Sequence, residues 1–349
     1  MWFFSPKDMG IDLGTANTLI YLKDKNIVLC EPSVIAMDTI TKQVIAVGRD
    51  AKDMLGKAPA NISVVRPLQD GVVSDFDMTA EMLKHFILRA VPGIRRANLR
   101  VVVGVPSGVT EVEKRAVEDV VHQLGAKEVY ILEEPMAAAI GVGLPVDDPT
   151  GCMIIDIGGG TTDIAVIAIG GIVASTSLRH AGDKFNEAIV NYMRKAYNIL
   201  IGEKTAEELK IKVGCAMMDF DEEGHEIIEK VDARGRDLIT GLPKIIAVSN
   251  KDMYYALKES VDIVVDGIKL TLEKTPPEIA ADIALDGVVL SGGGGMLKNF
   301  DKVITERTGM NVRIAENAFE AVALGTGKSL KNIEKLKKYA NGSLNIKYR

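Results

Sequence analysis

Cysteine and histidine are scarce. Three cysteines (Cys30, Cys152, Cys215) and four histidines (His85, His122, His180, His225) are scattered over 349 residues. That spacing offers neither a disulfide framework nor a zinc-binding cluster, and it suits a reducing cytosol. Aromatic residues make up only 5 %, so the core must rest on Val, Ile, Leu, Ala and Met. Long apolar runs are missing as well. The longest, Ile164 to Ala174, has eleven residues with Gly170-Gly171 inside it, against the ~20 a membrane-spanning helix requires. It reads as two buried strands around a tight turn. Met1-Trp2-Phe3-Phe4 is too short for the apolar stretch of a secretory signal, and Pro6 interrupts it. Positive charge is not in excess. The net charge is −6, which argues against nucleic acid as a partner.

What remains is an ordinary globular composition, 47 % hydrophobic and 26 % charged, on a chain longer than the ~250–300 residues at which single cores stop growing. Two domains are expected. The opening reads as a β meander: two β-rich runs within Gly10 to Leu22, a turn at Asp24-Lys25-Asn26, a strand from Ile27 to Cys30, and a further β segment in Glu31 to Ala36. Pro59 to Pro67 reads as a connector. A capped helix from Asp77 carries Met78, Met82, Leu83, Phe86, Ile87 and Ala90 on one face. Arg100 to Pro106 is a short buried strand. Thr110 to Glu113 resembles a capping box ahead of Ala116, Val117, Val120, Val121 and Leu124, and Val129 to Leu132 is a strand, completing a βαβ unit.

The pattern then restarts. Met153 to Ile167 repeats the opening segment at an offset of 144, with Met9, Ile11, Asp12, Gly14, Thr18 and Ile20 matched by Met153, Ile155, Asp156, Gly158, Thr162 and Ile164. Two related half-molecules follow. Helices are expected at Asp183 to Asn198, Thr205 to Val213 and Asp252 to Thr275, with a polar β-containing stretch from Asp219 to Val248. Gly287 to Gly295 is a strand entering a glycine loop, and Phe319 to Leu330 is a last core helix.

Each half thus holds strand, Asp, apolar residue, Gly, small polar residues, strand. Such a turn points successive backbone N–H groups into one concavity, and glycine lets that backbone approach a phosphate closely. The preceding Asp cannot meet phosphate without repulsion, but it can hold a divalent cation or the cation's water. The pair suggests a nucleotide polyphosphate gripped between two lobes, with Mg²⁺ near Asp12 and Asp156. Neither a Walker motif nor a GxGxxG competes: Gly325-Thr-Gly-Lys-Ser329 would need glycine at residue 322, which is Val.

Taken together, these motifs resemble the actin-like ATPase superfamily and, within it, the MreB family of bacterial actins, over residues 8 to 330. The resemblance is carried by Gly10-Ile-Asp-Leu-Gly-Thr-Ala-Asn-Thr-Leu-Ile-Tyr, Ile131-Leu-Glu-Glu-Pro-Met-Ala-Ala-Ala-Ile-Gly, Asp156-Ile-Gly-Gly-Gly-Thr-Thr-Asp, Glu31-Pro-Ser-Val-Ile-Ala, Gly202-Glu-Lys-Thr-Ala-Glu, Leu272-Glu-Lys-Thr-Pro-Pro-Glu and Leu290-Ser-Gly-Gly-Gly. It implies an α/β, actin-like fold of two lobes, each with a ribonuclease-H-like core, and a nucleotide in the cleft between them. The expected subdomains are IA (1–32, 67–143 and 317–349), IB (33–66), IIA (144–181 and 245–316) and IIB (182–244), ending in a basic tail at about 335–349.

The same resemblance implies ATP and Mg as cofactors. Gly14, Thr15, Ala16 and Asn17 would lie along the phosphates and Gly158, Gly159 and Gly160 would cradle them from the other half. Glu207, Glu208 and Lys210 would meet ribose and adenine, and Gly292, Gly293, Gly294 and Gly295 would pass close to the adenosine. The family usually has a different small residue at the position of Gly295. Asp12 and Asp156 would hold the metal through water. Glu134 would orient the attacking water, helped by Thr161; the plainer reading of Glu134 is a carboxylate favoured by a helix N-terminus.

Self-association into paired protofilaments, cell-shape or cytoskeletal proteins, and the anionic inner face of the cell membrane are the implied partners of a cytoplasmic protein. For the membrane there are three candidate elements. Trp2, Phe3 and Phe4 either insert into the interface or pack on the domain. Ile94, beside Arg95 and Arg96, lies in the apolar loop the family uses. Lys335, Lys337 and Lys338 belong to a stretch from Lys328 to Arg349 with seven basic residues and one acid, each basic group adding at most ~1 kcal/mol at an anionic surface. A small-molecule kinase on the same fold is the alternative, but no acceptor pocket with its own base is evident. A chaperone would need a long substrate domain, and a nucleotide-holding module would not need Glu134 and Thr161.

Overall fold

The structure is a computed structural model that describes residues 7–92, 99–331 and 335–336. The first half begins with β1 (Lys7–Leu13), β2 (Asn17–Leu22) and β3 (Asn26–Pro32). A small unit follows, made of β4 (Ile35–Asp38), β5 (Val44–Val47), α1 (Arg49–Met54) and β6 (Ile62–Val65). The chain returns through the hairpin β7 (Leu68–Gln69) and β8 (Val72–Val73) to α2 (Phe76–Ala90), β9 (Leu99–Val105), α3 (Glu111–Gln123), β10 (Ala126–Glu133) and α4 (Glu134–Val142). The second half runs β11 (Cys152–Ile157), β12 (Thr162–Ala168), β13 (Gly171–Leu178), α5 (Gly182–Tyr197), β14 (Ile199–Leu200), α6 (Glu203–Val213), β15 (Lys230–Asp237), β16 (Pro243–Ser249), α7 (Asn250–Glu273), α8 (Pro277–Asp286), β17 (Val288–Ser291), α9 (Gly292–Gly295), α10 (Phe300–Thr308), β18 (Val312–Ile314) and α11 (Ala321–Ser329).

The internal repeat is a repeat of topology. One five-stranded sheet has the order β10-β9-β1-β2-β3 and the other β13-β12-β11-β17-β18. In each, three antiparallel strands continue into two parallel ones, and the central strand carries the Asp. The inner strands β9, β11 and β12 are covered on both faces, which is why they read as near-continuous apolar runs rather than alternating ones. Val101 and Val103 face the α2/α3 side with Met82, Phe86 and Val120, whereas Val102 faces the opposite core. In the second sheet Ile155 and Ile157 face Phe185, Ile189 and Val264, whereas Ile154 faces away.

The layer between the sheets is the helix pair α4 and α11. Val102 and Leu132 of one sheet, and Ile154, Ala165 and Ile167 of the other, pack on the same group of Ala137, Ala138, Ala321 and Val322. These helices cross backbone to backbone: a Cβ on Gly325 would overlap the Ala137 carbonyl, and one on Gly141 the Ala321 carbonyl. On the α2/α3 face of the first sheet, truncation of a fully buried side chain such as Phe86 to alanine costs about 3–5 kcal/mol.

Some local expectations change. Residues Ile62–Val65 within the expected connector pair with β4 as a strand. Asp75, not Asp77, caps α2, its side chain accepting from the Met78 amide at 3.0 Å. The Thr110–Glu113 capping box is present in full. The turn after β12 is Ile169-Gly170, both at positive φ, and β13 beyond it is only partly buried. The glycines after β17 form a short helical turn rather than a loop. Residues Trp2, Phe3, Phe4, Ile94, Lys337 and Lys338 lie outside the described residues. Lys335 is described, and its ammonium pairs with Asp147. No helix among the described residues is long and apolar enough to cross a membrane.

Candidate functional site

The β1–β2 and β11–β12 turns meet across one cavity of about 560 Å³. They touch. A Cβ on Gly159 would stand 2.5 Å from Ala16 Cβ, and one on Gly160 would stand 2.5 Å from Thr15 Oγ1. Glycine is needed here because the second turn receives the first. Each turn is also fixed from behind. Ser33 Oγ donates to the Gly14 carbonyl at 2.6 Å, and the Gly71 amide donates to Thr15 Oγ1 at 2.9 Å. In the other lobe the Gly158 amide donates to the Thr161 carbonyl at 2.9 Å. The Gly158 and Gly159 carbonyls accept the first amides of α5, from Gly182 at 3.1 Å and Asp183 at 2.8 Å.

Three carboxylates, Asp12, Asp156 and Glu134, line the floor, and Asp163 lies behind them. Burial and then Asp156 push Asp12 up to about 8. Burial raises Asp156 to about 6, against a 2.6 Å hydrogen bond from Ser291 Oγ that favours its charged form. Burial raises Asp163 to about 7. Glu134, in the first turn of α4 and 7 % exposed, is pushed well above the usual range by burial and then by Asp163, Asp12 and Asp156. A cation beside buried carboxylates of this kind would favour their charged forms. Among the described residues no three His, Cys, Asp or Glu side chains converge as direct metal ligands. That suits Mg²⁺ resting on one or two carboxylates, with water and phosphate oxygens completing its shell.

Apolar wall is supplied by Ile211, Leu297 and Phe319, with Phe319 against Gly293. Asp183, Asn186, Glu207 and Lys210 also line the cavity. Lys210 Nζ donates to the Gly182 carbonyl at 2.9 Å, and burial lowers its pKa. Glu207 is held by Lys52 of α1 at 2.6 Å. Among the described residues, Lys52–Glu207 is one of three ionic links from the small unit on the first lobe to the second lobe. The others join Lys204 to Asp53 at 2.9 Å, and Arg66 to Asp183 at 3.3 Å and Glu203 at 2.7 Å.

A model of the MreB/Mbl protein family matches residues 6–338. The chain belongs to the MreB/Mbl family. It is 47% identical over 333 residues to the cell shape-determining protein Mbl of Bacillus subtilis (strain 168), covering 95% of this chain and 98% of that protein. It is 48% identical over 332 residues to the cell shape-determining protein MreB of Escherichia coli (strain K12), covering 94% of each. The crystal structure of Spiroplasma citri MreB 5 bound to AMPPNP superposes with a TM-score of 0.89 at 38% identity, covering 95% of this chain and 98% of that one. A MamK double helical filament shares the fold, with a TM-score of 0.78 at 19% identity. The two lobes are therefore those of an actin-like protein.

Of the residues singled out in the sequence, Asp12, Gly14, Thr15, Ala16, Asn17, Glu134, Asp156, Gly158, Gly159, Gly160, Thr161, Glu207, Lys210, Gly292, Gly293 and Gly294 all line the one cavity. Glu208 and Gly295 stand outside its wall. Glu208 is exposed, one residue and so about 100° around α6 from Glu207. Gly295 turns toward the Leu290 side chain.

Sequence reasoning missed the groups behind that wall. Asp163 Oδ1 accepts from the Ser107 amide of the other lobe at 2.9 Å, and Ser107 Oγ donates to Glu133 at 2.8 Å. This links the second hairpin to the residue before Glu134. The available signal was the acid closing Asp156-Ile-Gly-Gly-Gly-Thr-Thr-Asp. For Ser107 and Gly71 there was none.

Proposed function

We propose that this MreB/Mbl-family chain binds ATP with Mg²⁺, hydrolyses it slowly, and assembles into paired protofilaments at the inner face of the cell membrane, where they contribute to cell shape. One observation carries the nucleotide part: two Asp-bearing glycine turns from sister lobes close on the same cavity, with Glu134 at its floor. The S. citri relative, 38% identical, was crystallised with AMPPNP and with ADP, which supports the same reading. The division into subdomains IA, IB, IIA and IIB belongs to it.

The backbone amides of Gly14 to Asn17 and of Gly159 and Gly160 bind and orient the phosphates, while Gly158, its amide held by the Thr161 carbonyl, shapes the turn. Asp12 and Asp156 would hold Mg²⁺ through water, and the ion would offset the charge of both carboxylates and phosphates. Glu134 and Thr161 orient a water toward the terminal phosphorus. The water oxygen forms a new P–O bond, the bond to ADP breaks, and the water's proton passes to Glu134. Positioning and electrostatics are what phosphoryl transfer chiefly demands. ATP draws the lobes together and its loss loosens them, so filament contacts depend on the nucleotide. A filament multiplies weak basic-tail contacts with anionic lipid.

Negative-stain imaging with ATP, with ADP and without nucleotide tests the reading, alongside phosphate release. Protofilaments that depend on nucleotide, with slow phosphate release, are expected. Turnover confined to the presence of a small-molecule acceptor, with no protofilaments, would replace it by the kinase reading. Pelleting with anionic and neutral vesicles tests the membrane part; equal binding to both would remove the charge account.

A further inference from the structure

Asn186 sits one turn into α5, and its side chain is only 3 % exposed. It forms part of the cavity wall, yet its Oδ1 has no hydrogen-bond partner. A buried amide left unpaired costs free energy that a leucine of the same shape would not. The nucleotide assignments drawn from the sequence do not use it.

Its place along the cavity narrows what can pair with it. Gly182, four residues before it on the same helix face, bonds through its amide to the Gly158 carbonyl and through its carbonyl to Lys210 Nζ. Asn186 therefore stands between the phosphate turn and the helix of Glu207 and Lys210. The same cavity has apolar wall at Ile211 and Phe319, against which a base could lie. The part of a nucleotide that spans phosphate and base is the sugar. Its hydroxyls both donate and accept, so either end of the amide can pair with one. Glu207 is already partly engaged by Lys52.

We infer that Asn186 binds a sugar hydroxyl of the nucleotide and makes the site prefer ribonucleotides to deoxyribonucleotides. This rests on the nucleotide reading above. The test measures Kd for ATP, 2′-deoxyATP and 3′-deoxyATP with Mg²⁺, in the full chain and in Asn186→Leu. The unaltered protein should bind one deoxy analogue about five- to tenfold more weakly than ATP. In Asn186→Leu that gap should close, with ATP falling to the level of that analogue and the other analogue keeping its ratio to ATP. The ligand-free melting temperature of Asn186→Leu should be unchanged or higher. Asn186→Ser, too short to reach the sugar, should lose the same discrimination and serves if the leucine variant does not fold.

Discrimination that survives in both variants overturns the inference, as does an unaltered protein that binds all three nucleotides alike. So does a lower ligand-free melting temperature in Asn186→Leu, which would mean that the amide has a structural partner. An unaltered protein that binds none of the three instead removes the nucleotide reading itself.

Discussion

The two Asp-bearing hairpins share a backbone plan and differ in charge. Asp12 pairs in register with Leu19 on the next strand, and Asp156 pairs with Asp163. On the other side Asp12 has Gly104 as neighbour, and Asp156 has Ser291. So the first lobe offers its acid an apolar residue and a glycine, while the second offers an acid and a hydroxyl. That hydroxyl favours the charged form of Asp156, and no such donor lowers Asp12. A serine could not replace Gly104 freely, since a Cβ there would stand 2.8 Å from Val322 Cγ1. The helices that follow each sheet differ too. α4 opens with Glu134, whereas the first turn of α11 holds no acid. A duplicated scaffold thus encloses a cavity whose charge is unevenly shared, and on the proposed function the water-orienting acid belongs to one side only.

The sharpest break of this comparison is to remove that one-sided acid. Glu134→Ala should lower steady-state phosphate release at least 100-fold, the range for losing a positioned base, while ATP binding persists. Equal rates in the two proteins would return Glu134 to the role of a helix-terminal carboxylate.

Next comes the charge at and behind the floor. Asp156, Asp163 and Asp12 have folded-state values of about 6, 7 and 8, all above the unfolded 3.8. The folded chain therefore holds these protons more tightly than the unfolded chain. The stability this contributes is complete below about pH 4 and is lost as pH rises through 6 to 8. Ligand-free melting temperature should fall over that window, and the gain from Mg²⁺ with ATP should grow over it. Asp163→Asn keeps an acceptor for the Ser107 amide and removes one charge. Its stability relative to the unaltered protein should rise from pH 5 to pH 8, by about 3 kcal/mol. The same gain at both pH values would detach it from ionisation.

The two hairpins also become more alike in Ser291→Ala, which strips Asp156 of its donor. The pH midpoint for Mg²⁺-dependent nucleotide binding should rise by about one unit. An unmoved midpoint would mean that Asp156 does not govern cation binding.

Sequence made the repeat legible because the offset of 144 preserves Asp, Gly and the flanking apolar residues, all of which the backbone plan needs. It made the wall of the cavity legible for the same reason, as the turns that line it are local. What it concealed depends on contacts between distant segments. Asp163 occupies the position equivalent to Leu19, and only the fold shows that the Ser107 amide waits for it. Ile62–Val65 read as a connector because a short edge strand between prolines has little pattern of its own. Asn186 lies in an amphipathic helix, where a single polar residue on the inner face gives no sign of which cavity it borders.

The smallest effect belongs to the cleft's outer edge, where the lobes differ most. The small β4–β6 unit presents Lys52, Asp53 and Arg66, and the second lobe answers with Glu207, Lys204, Asp183 and Glu203. Lys52 and Glu207 are 26% and 29% exposed, so solvent screens the pair and Lys52→Ala should cost less than about 1 kcal/mol of stability. Its effect should be read instead in nucleotide release. With the lobes less often held together at the rim, ATP should dissociate severalfold faster and the increase should shrink at high salt, where the unaltered pair is already weakened. A release rate equal to that of the unaltered protein at low salt would mean that the two lobes are held closed behind the floor, by Asp163 and Ser107, and not at the rim.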